Sequence, residues 1–214
     1  FKQKTAYEIP KRDWSSDVCS SDLVAIGDVE VDLPATLESL NMGFLPVPGL
    51  DPRRPETSFV VRGKTLRVDL LTPARGRRTG APVRIPRLKA SAQPLEFLDY
   101  LLEATVDVPV INGGATMVKV PDPARFALHK LIVSMDRPVS FQAKAVKDRQ
   151  QAGEMIEVLM QDRPGDIELA AENINARGPG WRKRLKEGVA RLPDTLAEAK
   201  QKILGLMSWQ KFVA

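Results

Sequence analysis

The sequence holds a single cysteine, Cys19, and a single histidine, His129. One thiol cannot close a disulfide within the chain, and one imidazole cannot build a histidine-rich metal centre of the zinc type. Aromatic residues make up only 6% of the chain, so aliphatic side chains must fill most of any core. No apolar run approaches the roughly 18 residues that a membrane-spanning helix needs. The N-terminus also lacks a basic start followed by an apolar stretch, the mark of a secretory leader. These absences lead us to expect a protein of the cytoplasm with no membrane partner. Internal repeats and low-complexity tracts are missing too. Gly113 and Gly114 stand in no phosphate-binding pattern and suit a hairpin turn instead.

What is present is enough for a folded core: 214 residues, 43% hydrophobic and 28% charged. Lysine and arginine number 32 against 27 aspartates and glutamates, and a pI near 9.4 favours an anionic partner such as a nucleotide, a nucleic acid or an acidic protein.

Residues 1–23 differ from all that follows. They show no hydrophobic periodicity, and they carry Cys19 and Tyr7, one of two tyrosines. The strings KQKTAYEI and DWSSDVCSSD resemble translations of the two constant parts of a sequencing adapter, with Pro10, Lys11 and Arg12 where its variable index would fall. We therefore expect 1–23 to be an artefact rather than a domain, against the alternative of a natural disordered arm. The segment is charge-neutral, with Lys2, Lys4, Lys11 and Arg12 balancing Glu8, Asp13, Asp17 and Asp22, so the net charge of +5 belongs to the rest.

From Val24 the pattern is that of a folded chain. VAIGDVEV predicts a strand, and DLPATLESLNMG a short helix capped by Asp32 and stopped at Gly43. A loop with Pro46, Pro48, Pro52 and Pro55 leads to TSFVVRG and LRVDLLTP, which predict a hairpin turning at Gly63 and Lys64. Residues 74–89 hold six basic side chains (Arg75, Arg77, Arg78, Arg84, Arg87 and Lys89) and no acidic one. Such a stretch either contacts phosphates or is a solvated loop. PLEFLDYLLEA predicts a helix, and VDVPVI with TMVKV a second hairpin around Asn112.

After Val120 the chain turns helical. Asp122 and Pro123 mark a strong helix start, because the carboxylate caps free amides and proline suits the first turn. Further helices are predicted over 140–161, 167–176, 181–191 and 196–206, with Gly178, Pro179 and Gly180 as a break. We expect an α/β core over 24–120, a helical domain over 121–207 and a tail over 208–214. On the first long helix, Phe126, Ala127, Leu128, Leu131, Ile132 and Val133 leave almost no polar face apart from His129 and Lys130. His129 reads as a satisfied core or boundary residue. On the second, Phe141, Ala145, Ala152, Met155 and Leu159 form an apolar stripe that also contains Asp148. A buried charge needs a partner, so Lys130 and Asp148 are expected to pair or to face a ligand. A purely structural ion pair is the alternative. The run Arg182, Lys183, Arg184 and Lys186 reads as an exposed helix face, and Trp181 as a packing anchor.

PDPARFALHKLIVS followed by AKAVKDRQQA resembles the C-terminal motif of bacterial nucleotidyltransferase-fold proteins similar to the AbiEii class of abortive-infection toxins, over most of residues 24–192. The resemblance implies an α+β fold, with a polymerase-beta-like mixed sheet, incomplete at its N-terminus, followed by a C-terminal helical bundle. In such proteins a lysine on one helix, and an arginine or lysine followed by aspartate on the next, lie against the nucleotide site. Lys130 matches the first position, and Lys147 with Asp148 the second. Gln151 stands where a second aspartate is usual. Chemistry of this kind uses a glycine-serine turn, two carboxylates on the next strand and a third on a neighbouring one, because two magnesium ions must be held around the triphosphate. Asp69 stands where the third carboxylate belongs; the alternative is an edge-strand aspartate that caps a turn. The first two would precede VAIG, where the adapter-like segment ends. Asp22, or the alternating Asp28 and Glu30, are the only substitutes.

The resemblance thus implies a nucleotidyltransferase moving a nucleotide from a nucleoside triphosphate to an acceptor, an RNA or a protein. Its catalytic residues would be Asp69, Lys130 and Asp148, with Lys130 and Lys147 binding the nucleotide and Asp69 binding Mg2+. We expect the chain as written to be inactive for want of the acidic pair. The alternative is a non-catalytic protein of the same fold that binds nucleic acid or a partner.

Overall fold

The computed structural model describes residues 24–207 apart from 28, 49–54, 76–79 and 112. Expectations for the segment 1–23 with Asp22, for Asp28, Arg77, Arg78 and Asn112, and for the tail 208–214 lie outside the described residues.

Among those described, the chain is mixed α/β up to Pro121 and helical after it. The predicted strand over 24–31 does not form. Ala25 alone bridges antiparallel to Lys119, its amide donating to the Lys119 carbonyl at 2.7 Å. Strand preference needs a partner edge and a covered face, and Val24, Ile26 and Val29 remain exposed. Helix α1, Leu33–Ser39, starts as expected, with the Asp32 carboxylate accepting from the Ala35 amide at 3.0 Å.

Strands β1 (Phe44–Pro46), β2 (Ser58–Val61) and β3 (Arg67–Asp69) form an antiparallel sheet in that order. The β2–β3 turn is wider than the predicted two residues. Val61 donates to the Leu66 carbonyl at 3.1 Å and Lys64 donates back to Val61 at 3.0 Å, with Gly63 at φ +76. LRVDLLTP is not one strand either. It breaks at buried Leu70 and resumes as β4, Leu71–Pro73, in a second sheet of order β4-β6-β5, with β5 at Val83–Ile85 and β6 at Ala90–Leu95. Leu70 joins the two sheets, since its amide donates to Thr57 and its carbonyl accepts from Gln93, both at 2.8 Å. Leu37, Phe59, Leu70, Leu88, Ala90 and Ala92 make a small core there.

The helix predicted over PLEFLDYLLEA is shorter than expected. Residues up to Leu95 complete β6 in parallel pairing with β4, Phe97 turns through a left-handed conformation at φ +64, and α2 covers only Leu98–Leu102. Here the sheet edge outweighs local helix preference. Strands β7 (Thr105–Ile111) and β8 (Ala115–Pro121) form the predicted second hairpin.

Five helices follow: α3 (Pro123–Asp136), α4 (Gln142–Asp162), α5 (Pro164–Ala176), α6 (Pro179–Ala190) and α7 (Ala197–Leu206). Asp122 caps α3, accepting from the Arg125 amide at 3.0 Å. The main core is aliphatic, built from Leu128, Leu131, Ile132, Ile156, Ile167, Ile174, Leu185 and Ile203. Helices α3 and α6 approach closely at Gly188, where a Cβ would lie 2.8 Å from the Leu131 carbonyl oxygen. Trp181 packs edge-on against Phe97 at 4.7 Å, the anchor expected of it. Phe141 departs from the predicted stripe. It sits in a helical turn before α4, outside the core, and Ile156 takes the buried position instead.

Candidate active site

Helices α3 and α4 lie side by side and bring Lys130 and Asp148 together. Their facing surfaces are mostly apolar and bury the few polar side chains that share them, so the two charges meet inside the core. Lys130 Nζ donates to Asp148 Oδ1 at 3.2 Å, with the two side chains 1% and 5% exposed. The ammonium also lies 4.9 Å from the centre of the Phe126 ring. Arg137, which the helical pattern did not single out, completes the cluster. Its Nε and Nη2 both donate to Asp148 Oδ2, at 3.0 and 2.8 Å, and its side chain is 18% exposed. Each carboxylate oxygen therefore has its own cation. Charge-assisted bonds of this length are among the stronger ones a protein makes. Lys147 is on the exposed side of α4, next to Asp148.

His129 is buried, as its place on α3 suggested, but neither ring nitrogen has a hydrogen-bond partner among the described residues. Burial, reinforced by the positive charges of Lys130 and Arg137, pushes its pKa down to about 3. The imidazole is neutral at pH 7.

Asp69 ends β3 and is held within its own sheet. One of its oxygens accepts from the Ser58 hydroxyl and from Arg67 Nε, the latter at 2.7 Å, while Arg67 Nη2 donates to Ser58 Oγ at 3.0 Å. Asp69 is thus bonded within its own hairpin, while Lys130 and Asp148 are bonded to each other between α3 and α4. Of the two expectations for Lys130 and Asp148, that they pair or that they face a ligand, the pairing is present.

Magnesium asks for several oxygen donors at close to octahedral geometry. Asp69 offers one carboxylate, already bonded by an arginine that competes as a cation. Glu30 is exposed, and among the described residues no group of three or more histidine, cysteine, aspartate or glutamate side chains is placed to hold a metal ion. The described residues do not make up a magnesium site.

The remaining basic residues divide. Arg75, Arg84, Arg87 and Lys89 are exposed, with Arg84 in β5 rather than in a loop and Lys89 paired to Asp32 at 3.2 Å. Arg184 is not merely solvated. It pairs with Asp136 at 2.8 Å and lies 5.4 Å over the Phe97 ring, tying α6 to α3 and to the start of α2.

A family model described as Nucleotidyltransferase matches residues 18–175. The match begins at Val18, within the adapter-like segment, and runs to the end of α5. Searches among curated proteins and among solved structures give no match. No helix among the described residues is long and apolar enough to cross a membrane.

Proposed function

Because the chain belongs to this nucleotidyltransferase family, we propose that it derives from an enzyme that transfers a nucleotide from a nucleoside triphosphate to an acceptor hydroxyl, with its nucleotide site against α3 and α4. The observation that carries this placement is the buried cluster of Lys130, Asp148 and Arg137. Lys130 and Asp148 are kept inside a helical core at a considerable desolvation cost, with the partly exposed Arg137 bonded over them and exposed Lys147 next in sequence to Asp148. Positive groups fixed in this way suit a polyphosphate, whose charge they offset without reorganising. In this proposal Lys130 and Asp148 are the family's helical pair, Lys147 flanks the nucleotide, and Asp69 supplies one carboxylate toward magnesium. Among the described residues only Asp69 is assigned to the three carboxylates, and in this proposal the chain as written is inactive or nearly so. The acceptor is an RNA or a protein, and the setting is the bacterial cytoplasm.

The second reading, a non-catalytic binding protein on the same fold, is favoured by one observation: the basic stretch keeps Arg75, Arg84 and Arg87 exposed, where they can contact nucleic acid or a partner. The deciding experiment incubates this chain, and one carrying the natural opening of its parent, with labelled nucleoside triphosphates and magnesium over a panel of RNA and protein acceptors. Transfer by the restored chain, lost in Asp69→Asn, supports the enzyme. Triphosphate or RNA binding without transfer in the restored chain overturns it in favour of the binding protein.

A further inference from the structure

We propose that Arg137 is the group that meets the triphosphate and that Lys130 is the buried positioning residue behind it, an assignment that rests on the nucleotidyltransferase reading above. The three members of the cluster differ sharply in access. At 1% exposure, covered by the Phe126 ring and bonded to Asp148, the Lys130 ammonium is beyond reach of a solute unless α3 and α4 separate. The Arg137 side chain, at 18%, is the one that reaches the surface.

The backbone explains why. Arg137 follows the last residue of α3 in an extended conformation, φ −66 and ψ 127, and Pro138 after it disfavours helical geometry at that position. Its side chain therefore leaves the helix axis and returns across Asp148. Two bonds to the same oxygen set the guanidinium plane, and Lys130 on the other oxygen stops the carboxylate from rotating. The outcome is a planar cation fixed in direction at the mouth of a buried cluster. Guanidinium geometry matches phosphate oxygens in pairs, whereas an ammonium acts as a point charge. Lys144 and Lys147 add positive charge to the stretch that follows Arg137, while its two flanking acids are paired, Asp136 with Arg184 and Asp148 with Lys130 and Arg137.

The test is calorimetric titration of the folded chain with inorganic triphosphate, alongside urea denaturation, for the unmodified protein, Arg137→Gln, Arg137→Lys and Lys130→Met. Arg137→Gln is expected to weaken triphosphate binding about tenfold or more and also to lower the urea midpoint, because Asp148 loses two charge-assisted bonds, whereas Arg137→Lys, which keeps a cation beside Asp148, is expected to restore most of the midpoint but only part of the triphosphate binding. Lys130→Met is expected to lower the midpoint while its folded fraction loses less affinity than Arg137→Gln. If Lys130→Met does not fold, the Arg137→Gln and Arg137→Lys pair decides alone. Unchanged triphosphate binding in Arg137→Gln overturns the assignment, as does a larger loss in folded Lys130→Met. A short single-stranded RNA that loses affinity in Arg137→Gln while triphosphate does not overturns it as well, in favour of nucleic acid. An unmodified chain that binds neither inorganic triphosphate nor any nucleoside triphosphate overturns the nucleotidyltransferase reading itself.

Discussion

Replacing Asp148 by alanine takes the carboxylate away from two cations at once. At 3.2 Å the Lys130–Asp148 attraction is about 5 kcal/mol for an effective dielectric constant of about 20, before desolvation is counted. Breaking a buried pair on one side leaves the desolvation cost of the remaining charge, and such changes destabilise by about 3–5 kcal/mol. Against a total stability of about 5–15 kcal/mol, the variant should be visibly weakened but still folded in the cold. The double variant Lys130→Met with Asp148→Leu removes both buried charges and keeps their volume. Arg137, near the surface, can then turn to water. The double variant should recover most of the single loss, giving a coupling energy of about 2 kcal/mol or more. Urea denaturation of the unmodified protein, Lys130→Met, Asp148→Leu and the double variant measures the coupling, with Asp148→Ala run alongside for the single loss and unchanged slopes confirming that midpoints report stability. A cost below about 1 kcal/mol for Asp148→Ala, or a double variant that loses the sum of the singles, refutes the argument that the cluster is a desolvated unit.

Three further outcomes are expected. His129, neutral when folded with a pKa near 3, takes up a proton near 6.5 when unfolded, so its contribution is complete above that pH and declines by about 1.4 kcal/mol per pH unit as pH falls toward 3; urea midpoints across pH 7 to 4 should fall less steeply in His129→Gln. Gly188→Ala places a methyl 2.8 Å from the Leu131 carbonyl oxygen and should cost about 1–3 kcal/mol by forcing α3 and α6 apart, whereas alanine at Gly165, which has open space, should leave the thermal midpoint nearly unchanged. Tyr100→Phe removes the buried bond from its hydroxyl to the Ala170 carbonyl at 2.9 Å and should cost about 1–3 kcal/mol by leaving that oxygen unsatisfied, measurable by calorimetry.

The helical half was the more legible in sequence because its signals are local. Apolar spacing put Lys130 and Asp148 on buried faces of neighbouring helices, and burial then dictated that they pair. Arg137 escaped the same logic because it stands beyond the last turn of α3, where helical periodicity assigns no face. The signal present was the following proline, which turns the chain back over α4. In the sheet half, propensity failed where pairing partners decide. Among the described residues the β-branched run after Val24 touches neighbouring backbone at single points, Ala25 at Lys119 and Val31 at Arg87, and the leucines of PLEFLDYLLEA were divided between a strand and a helix by β4. Asp69 was correctly placed on a strand, but its bonds to Ser58 and Arg67 depend on hairpin register and on side-chain direction, which composition does not encode.

The double attachment of Leu70 has a mechanical meaning. The residue hydrogen-bonds outward through both of its peptide groups, its amide donating to Thr57 beside the sheet that carries Asp69 and its carbonyl accepting from Gln93 in the sheet that rests on the helical core. A tilt of the first sheet is therefore passed to the second through this residue, backed by the side chains of the small core that the two sheets share, so the two act as one lever. Any adjustment of Asp69 toward or away from a ligand must either bend its short hairpin or carry β4 and β6 along, which would be felt at the base of the helices.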